Sequence, residues 1–197
     1  MSAPPAVVDQ PNTQARSCNG LQHVVLLRHP APLLPRGGIC YGRLEVGLQA
    51  GWQEAVDTLA LPDLADARIW TSPAARCARP AARLAGRLGT AIRTDARLQE
   101  LDFGAWEGLA WDQVPRVALD RWAADLTGFA PPAGETGGAL IARVQEFHAA
   151  LRHDGRDAIV LSHGGPLRVL ASLLRGAPVD LCAPAPGFLA PQSFSLA

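Results

Sequence analysis

The sequence contains no lysine, so all 18 of its basic side chains are arginine. That absence excludes a Walker-type loop built on a phosphate-binding lysine, a Schiff-base lysine and a lysine general base. Arginine stays charged and presents a planar fork that matches phosphate oxygens. GC-rich coding bias is the ordinary origin of such a composition, and the chemical exclusion holds whatever the origin. Cysteine is sparse: Cys18, Cys40, Cys77 and Cys182 form no CxxC pair. They read as reduced thiols rather than a disulfide framework or a zinc site. No HExxH or comparable ligand spacing occurs, so neither a metal nor another cofactor is expected.

Long apolar runs are also missing, which argues against a membrane span. Eighteen acidic residues balance the 18 basic ones to a formal net charge of zero, so nothing points to nucleic acid or an anionic membrane as partner. Residues 1–20 are rich in Pro, Ala, Ser, Asn and Gln, and lack a basic start and an apolar h-region. They read as a disordered leader before one domain over residues 21–197, with the cytoplasm as default location. A chain of 197 residues, 48% hydrophobic and 18% charged, suits one soluble domain that buries roughly 70% of its unfolded surface. Its oligomeric state, monomer or homodimer, stays open.

What is present is an alternation of strands and helices. The run His23 to Leu27 is a strand that stops at Arg28-His29-Pro30, before a loop with Pro32, Pro35 and Gly37-Gly38. A helix is expected after Leu48, with Trp52, Val56 and Leu59 on one face and Pro62 closing it. Arg68 to Thr71 is a second strand ending at Ser72-Pro73, and Pro73 is placed to open a helix through Leu88. Ala91 to Arg93 is a short third strand. Trp106 to Leu126 is expected to be helical with an interruption at Pro115. From Glu135 a longer helix carries Leu140, Val144, Phe147 and Leu151, spaced 4, 3 and 4 apart. Ala158 to Leu161 is a buried strand, followed by Ser162-His163-Gly164-Gly165 and a helix opened by Pro166; Ser193 to Leu196 supplies an edge strand. Such alternation implies an α/β fold, a mainly parallel sheet covered on both faces. Ligands in such sheets bind beyond the carboxyl ends of the strands.

Three candidate chemical groups fall at those ends: Arg28-His29, Ser72 to Arg76, and His163-Gly164-Gly165. A histidine after a strand is often structural, but Arg28 beside His29 disfavours protonation and keeps the imidazole nucleophilic toward an anionic target. Gly164 and Gly165 let backbone N–H groups approach an anion at a helix start, or else form an ordinary turn capped by His163. Arg76 either reaches back over the sheet edge or is solvated. Glu100 lies near Phe103 and Trp106, which would shield its carboxyl group; a shielded glutamic acid can protonate a leaving alkoxide.

Leu27-Arg28-His29, Thr71 to Arg76, Leu98 to Gly108, Gly134-Glu135-Thr136 and Ser162 to Gly165 occur in the order and approximate spacing of the histidine phosphatase (phosphoglycerate mutase-like) superfamily. The resemblance runs from His23 to the C-terminus. It implies a three-layer αβα sandwich of the phosphoglycerate mutase type, with His29 as the phosphorylated histidine. It further implies Arg28 and Arg76 as phosphate clamps, His163 as second pocket histidine, Glu100 as acid/base and Glu135 as substrate contact or support. Gly164 would present a backbone N–H to the phosphate. The family usually has Gly where Pro30 stands, which leaves the course of the following loop open.

The stretch Cys40-Tyr41-Gly42-Arg43-Leu44-Glu45 resembles the α-ribazole phosphatase-like branch, which serves cobalamin assembly. It implies a small phosphorylated metabolite such as α-ribazole 5′-phosphate as partner. Tyr41, the single tyrosine, either stacks on substrate or packs. Between Trp106 and Pro132 the only cations are Arg116 and Arg121, beside Asp112, Asp120 and Asp125. A near-neutral lid favours release of phosphate to water over mutase transfer. A metallohydrolase and a catalytically idle phospholigand-binding module are the competing classes.

Overall fold

A computed structural model describes residues 21–64 and 66–196; the expected leader, residues 1–20, lies outside them. Five strands form one sheet in the order β3-β2-β4-β1-β5. They are β1 (Gln22–Arg28), β2 (Arg68–Thr71), β3 (Ile92–Thr94), β4 (Ala158–Ser162) and β5 (Gln192–Leu196). β1, β2, β3 and β4 pair in parallel, and β5 runs antiparallel along β1 at the edge.

The apolar runs are continuous because the sheet is covered on both faces. Successive side chains of β1 point to opposite faces. Val24 and Leu26 pack with Phe147, Leu151, Val160 and Leu170, while Val25 and Leu27 pack with Ile69, Leu84, Ile159 and Leu161. The first layer belongs to α4 (Gly137–Asp154) and α5 (Gly164–Leu174), the second to α1 (Trp52–Asp57) and α2 (Ala75–Leu88). This is the three-layer αβα sandwich. The Leu140, Val144, Phe147 and Leu151 stripe of α4 is wholly buried, and Thr136 caps that helix by accepting from the Ala139 N–H at 3.0 Å.

Several boundaries differ from those the sequence suggests. α1 stops at Asp57, short of Leu59, because Arg87 of α2 donates to the carbonyls of Val56, Asp57 and Leu59 and so satisfies groups a longer helix would use. α2 begins at Ala75, after Pro73, and holds Pro80 in its interior. Between Trp106 and Leu126 only α3 (Arg116–Ala124) is helical. Its surroundings form a separate small cluster in which Trp106 stacks on Phe129 and meets Trp122 edge-on. α5 starts at Gly164, so Pro166 sits in its first turn and His163 at its cap. No helix among the described residues is long and apolar enough to cross a membrane.

Candidate active site

β1, β4 and β2 end level, with Leu27, Leu161 and Thr71 in one row of the register. The chain leaves that row as Arg28-His29, Ser162-His163 and Ser72. The His29 N–H donates to the Ser162 carbonyl at 3.0 Å and the Ser72 N–H to that of Leu161 at 3.2 Å, which holds the departing segments side by side.

His29 is 1% exposed. Its Nδ1 lies 2.7 Å from the Pro30 carbonyl oxygen. A carbonyl only accepts, so Nδ1 carries the proton and Nε2 keeps the lone pair. The residue that departs from the usual glycine thus supplies, through its backbone, the contact that sets the tautomer. Burial pushes the His29 pKa down to about 3, aided by the charges of Arg76 and then Arg28 and opposed by the Pro30 hydrogen bond. The sequence singles out Arg28 as the cause; in the structure burial outranks both arginines, and Arg76 outranks Arg28.

His163 is fully buried, its ring edge-on to that of His29 with centroids 5.2 Å apart. Arg76 Nε donates to its Nδ1 at 3.2 Å, so Nε2 carries the proton and donates to Ser72 Oγ at 2.8 Å. Burial, and then the Arg76 charge, hold its pKa well below the usual histidine range. The sequence places Ser72 at the head of a candidate group at a strand end without a role of its own; the structure makes it the acceptor for His163.

Arg76 reaches back from α2 and is 1% exposed. Besides His163 it donates to the carbonyls of Leu44, at 2.8 Å, and Gly42, and its guanidinium lies 5.4 Å from the Tyr41 ring centre. Arg28 donates to the Pro186 carbonyl at 3.0 Å and stacks 4.0 Å over Phe188, and its buried Nε has no hydrogen-bond partner among the described residues. Each guanidinium carries five N–H donors, so both retain donors for an anion.

The Glu100 carboxylate accepts from the Leu101 N–H at 3.0 Å and from the Gly165 N–H at 3.1 and 3.2 Å. A Cβ on residue 165 would fall 2.3 Å from Glu100 Oε1, so glycine permits this approach. Glu100, Arg28, Tyr41, Gly164 and Gly165 line one cavity of about 590 Å³. Phe103 joins that wall, whereas Trp106 packs beneath it. The cavity continues past Trp111, Trp122, Leu126 and Leu181 and includes one further cation, Arg168. Arg116 pairs with Asp120 at 2.8 Å, Arg121 lies over Phe129, and neither lines it.

Glu135 does not line the cavity. Its carboxylate accepts from Arg143 at 2.5 and 3.2 Å and from the Asp102 N–H at 3.2 Å, and pairs with Arg43 at 3.3 Å. Arg143 in turn donates to the carbonyls of Arg97, Gln99 and Glu100 at 2.7, 2.6 and 3.1 Å. The pair fastens the backbone that carries Glu100. Nothing in the sequence singles out Arg143, because its partners are main-chain carbonyls of residues 97–100 and a carboxylate eight residues back. Among the described residues no three His, Cys, Asp or Glu side chains come together as metal ligands.

A buried histidine with two arginines near it, a second histidine and a carboxylate thus meet beyond the carboxyl ends of the central strands, an arrangement suited to an anion. The chain belongs to the histidine phosphatase superfamily (branch 1), which it matches over residues 24–186. It is 31% identical over 159 residues to a bifunctional protein of Mycobacterium tuberculosis, covering 76% of this chain and 43% of that protein. The chain thus spans less than half the length of that relative. A solved mycobacterial glucosyl-3-phosphoglycerate phosphatase aligns with a TM-score of 0.75 at 25% identity, over 87% of this chain and 90% of the other. The α-ribazole phosphatase of Shigella flexneri shares the fold, with a TM-score of 0.79 at 22% identity over 89% and 94%.

Proposed function

We propose that the chain is a metal-independent phosphomonoester hydrolase working through a phosphohistidine on His29. The observation that carries this reading is the His29 tautomer: Nδ1–H bound to Pro30, Nε2 with its lone pair, and two arginines beside it. Nε2 attacks phosphorus in line, the bond from phosphorus to the ester oxygen breaks, and Glu100 gives its proton to the departing alkoxide. Water then attacks the phosphohistidine, the P–N bond breaks, and Glu100 takes the proton that water loses. Alcohol and inorganic phosphate leave, with enzyme and proton inventory restored. Arg28 and Arg76, with the N–H of Gly164, hold the phosphoryl oxygens and offset their charge in a water-poor site, while His163, engaged through both ring nitrogens, fixes Arg76 and Ser72 beside them.

The substrates in this reading are small phosphorylated metabolites whose alcohol enters the aromatic-walled cavity. α-Ribazole 5′-phosphate, to which the Cys40 to Glu45 stretch points, brings a flat base for those walls, of which Tyr41 is one. The test is a phosphomonoester panel that includes α-ribazole 5′-phosphate and the phosphoglycerates, run on the wild type and His29→Ala. Hydrolysis by the wild type, with a loss on the order of 10⁴-fold or more in the variant, is expected. Exchange of phosphate between phosphoglycerates would point to a mutase, and binding without hydrolysis to an idle module.

A further inference from the structure

Arg168 has no role in the chemistry above, yet it lines the same cavity. It lies on α5 one turn beyond Gly164, on the same helix face, about 6 Å further along the axis. Its Nε is buried, and its guanidinium makes no hydrogen bond or ion pair among the described residues. The cavity it lines is largely apolar, with Trp122, Leu126, Leu140 and Leu181 among its walls. The one carboxylate in the lining, Glu100, is already held by Gly165 and Leu101. Arg168 is half-buried, so an anion that meets its guanidinium inside the cavity replaces water there, and the low-polarity walls strengthen the pairing.

We propose that Arg168 is a specificity-determining residue that binds a carboxylate carried by the alcohol part of the substrate. The inference rests on the phosphatase reading and narrows it. The phosphoryl end sits at His29, Arg28 and Arg76, an apolar body crosses the cavity, and the carboxylate meets the Arg168 fork. α-Ribazole 5′-phosphate offers no second anion to Arg168, so it is the natural counter-substrate.

The test compares 3- and 4-carboxyphenyl phosphate with their uncharged carbamoyl counterparts, on the wild type, Arg168→Gln and Arg168→Lys. In the wild type, kcat/KM for at least one carboxylate ester should exceed that for its amide by about tenfold or more, the scale of one charge-assisted hydrogen bond. The ratio should fall to about one in Arg168→Gln, with the change in KM, and be partly kept in Arg168→Lys. Hydrolysis with a ratio near one in the wild type, or a ratio that survives Arg168→Gln, overturns the assignment while leaving the phosphatase reading intact. If no ester is turned over, the phosphatase reading fails instead. Benzoate against benzamide binding, followed by the fluorescence of Trp111 and Trp122, then decides the Arg168 claim. Preference for benzoate that is lost in Arg168→Gln supports it, and equal binding refutes it.

Discussion

Replacing His29 by Asn should make the protein less sensitive to mild acid. The wild-type imidazole titrates at about 3 in the fold, against 6.5 for the free side chain. Between those values the unfolded chain binds a proton that the folded one refuses, so stability falls as pH drops below 6.5. At pH 5 the unfolded side chain lies 1.5 pH units below its midpoint, and the folded one is still neutral. One unit is worth about 1.4 kcal/mol, so His29 alone removes about 2 kcal/mol of stability between pH 7 and 5. The figure is insensitive to the folded value, because any midpoint below about 4 gives the same result. Asn offers an N–H to the Pro30 carbonyl but does not titrate. Carboxylates remote from His29 cancel in the comparison, and His163, although 5.2 Å from the His29 ring, stays neutral in both proteins because burial and then the Arg76 charge set its low pKa. Urea unfolding at pH 7 and pH 5 supplies the four free energies. The wild type should lose about 2 kcal/mol more than His29→Asn over that interval. Parallel losses would show that folded His29 accepts the proton, and the argument for a neutral nucleophile would fail.

Arg76→Gln removes donors to His163, Gly42 and Leu44, so kcat/KM should drop by a factor of about 100 to 1,000 or more, with a stability loss of about 1–3 kcal/mol for each buried acceptor left unsatisfied in the same unfolding assay. Gly165→Ala places a methyl group against Glu100; kcat should fall at least about tenfold while the far-UV circular dichroism stays unchanged. Arg143→Met frees three carbonyls and the Glu135 carboxylate, and should lower the unfolding free energy by about 3 kcal/mol. Hydrolysis should persist in full after incubation with a strong chelator, and restoration of a lost activity by zinc would contradict the scheme.

Much of this site is legible in the sequence because it depends on where strands stop. Short apolar runs ending at Arg28-His29, Ser72 and Ser162-His163 locate three parts of the pocket, and the two glycines after His163 mark the helix start beside which Glu100 comes to rest. The layered fold follows for the same reason, since runs such as Val24 to Leu27 can be apolar throughout only if both faces are covered. Tautomers are a different matter. That His163 donates to Ser72 and accepts from Arg76 depends on contacts across 91 and 87 residues, which no local pattern encodes. The support behind Glu100 is hidden likewise, because Arg143 binds carbonyls, which every residue type offers. Residues 106–126 are less helical than their sequence suggests, because Trp106 and Trp122 join a small cluster of their own instead of a helix stripe. Cations sought in that lid, Arg116 and Arg121, lie outside the cavity, whereas Arg168 enters it from a helix that reads as plain core.

The central claim is that His29 carries the phosphoryl group, and the most direct measurement is rapid acid-free quenching during turnover, followed by mass analysis of the peptide that contains His29. The account predicts one added phosphoryl group on that peptide, stable in base, labile in acid and absent from His29→Ala. Turnover with no phosphorylated histidine at any quench time, or a label retained by His29→Ala, would contradict it.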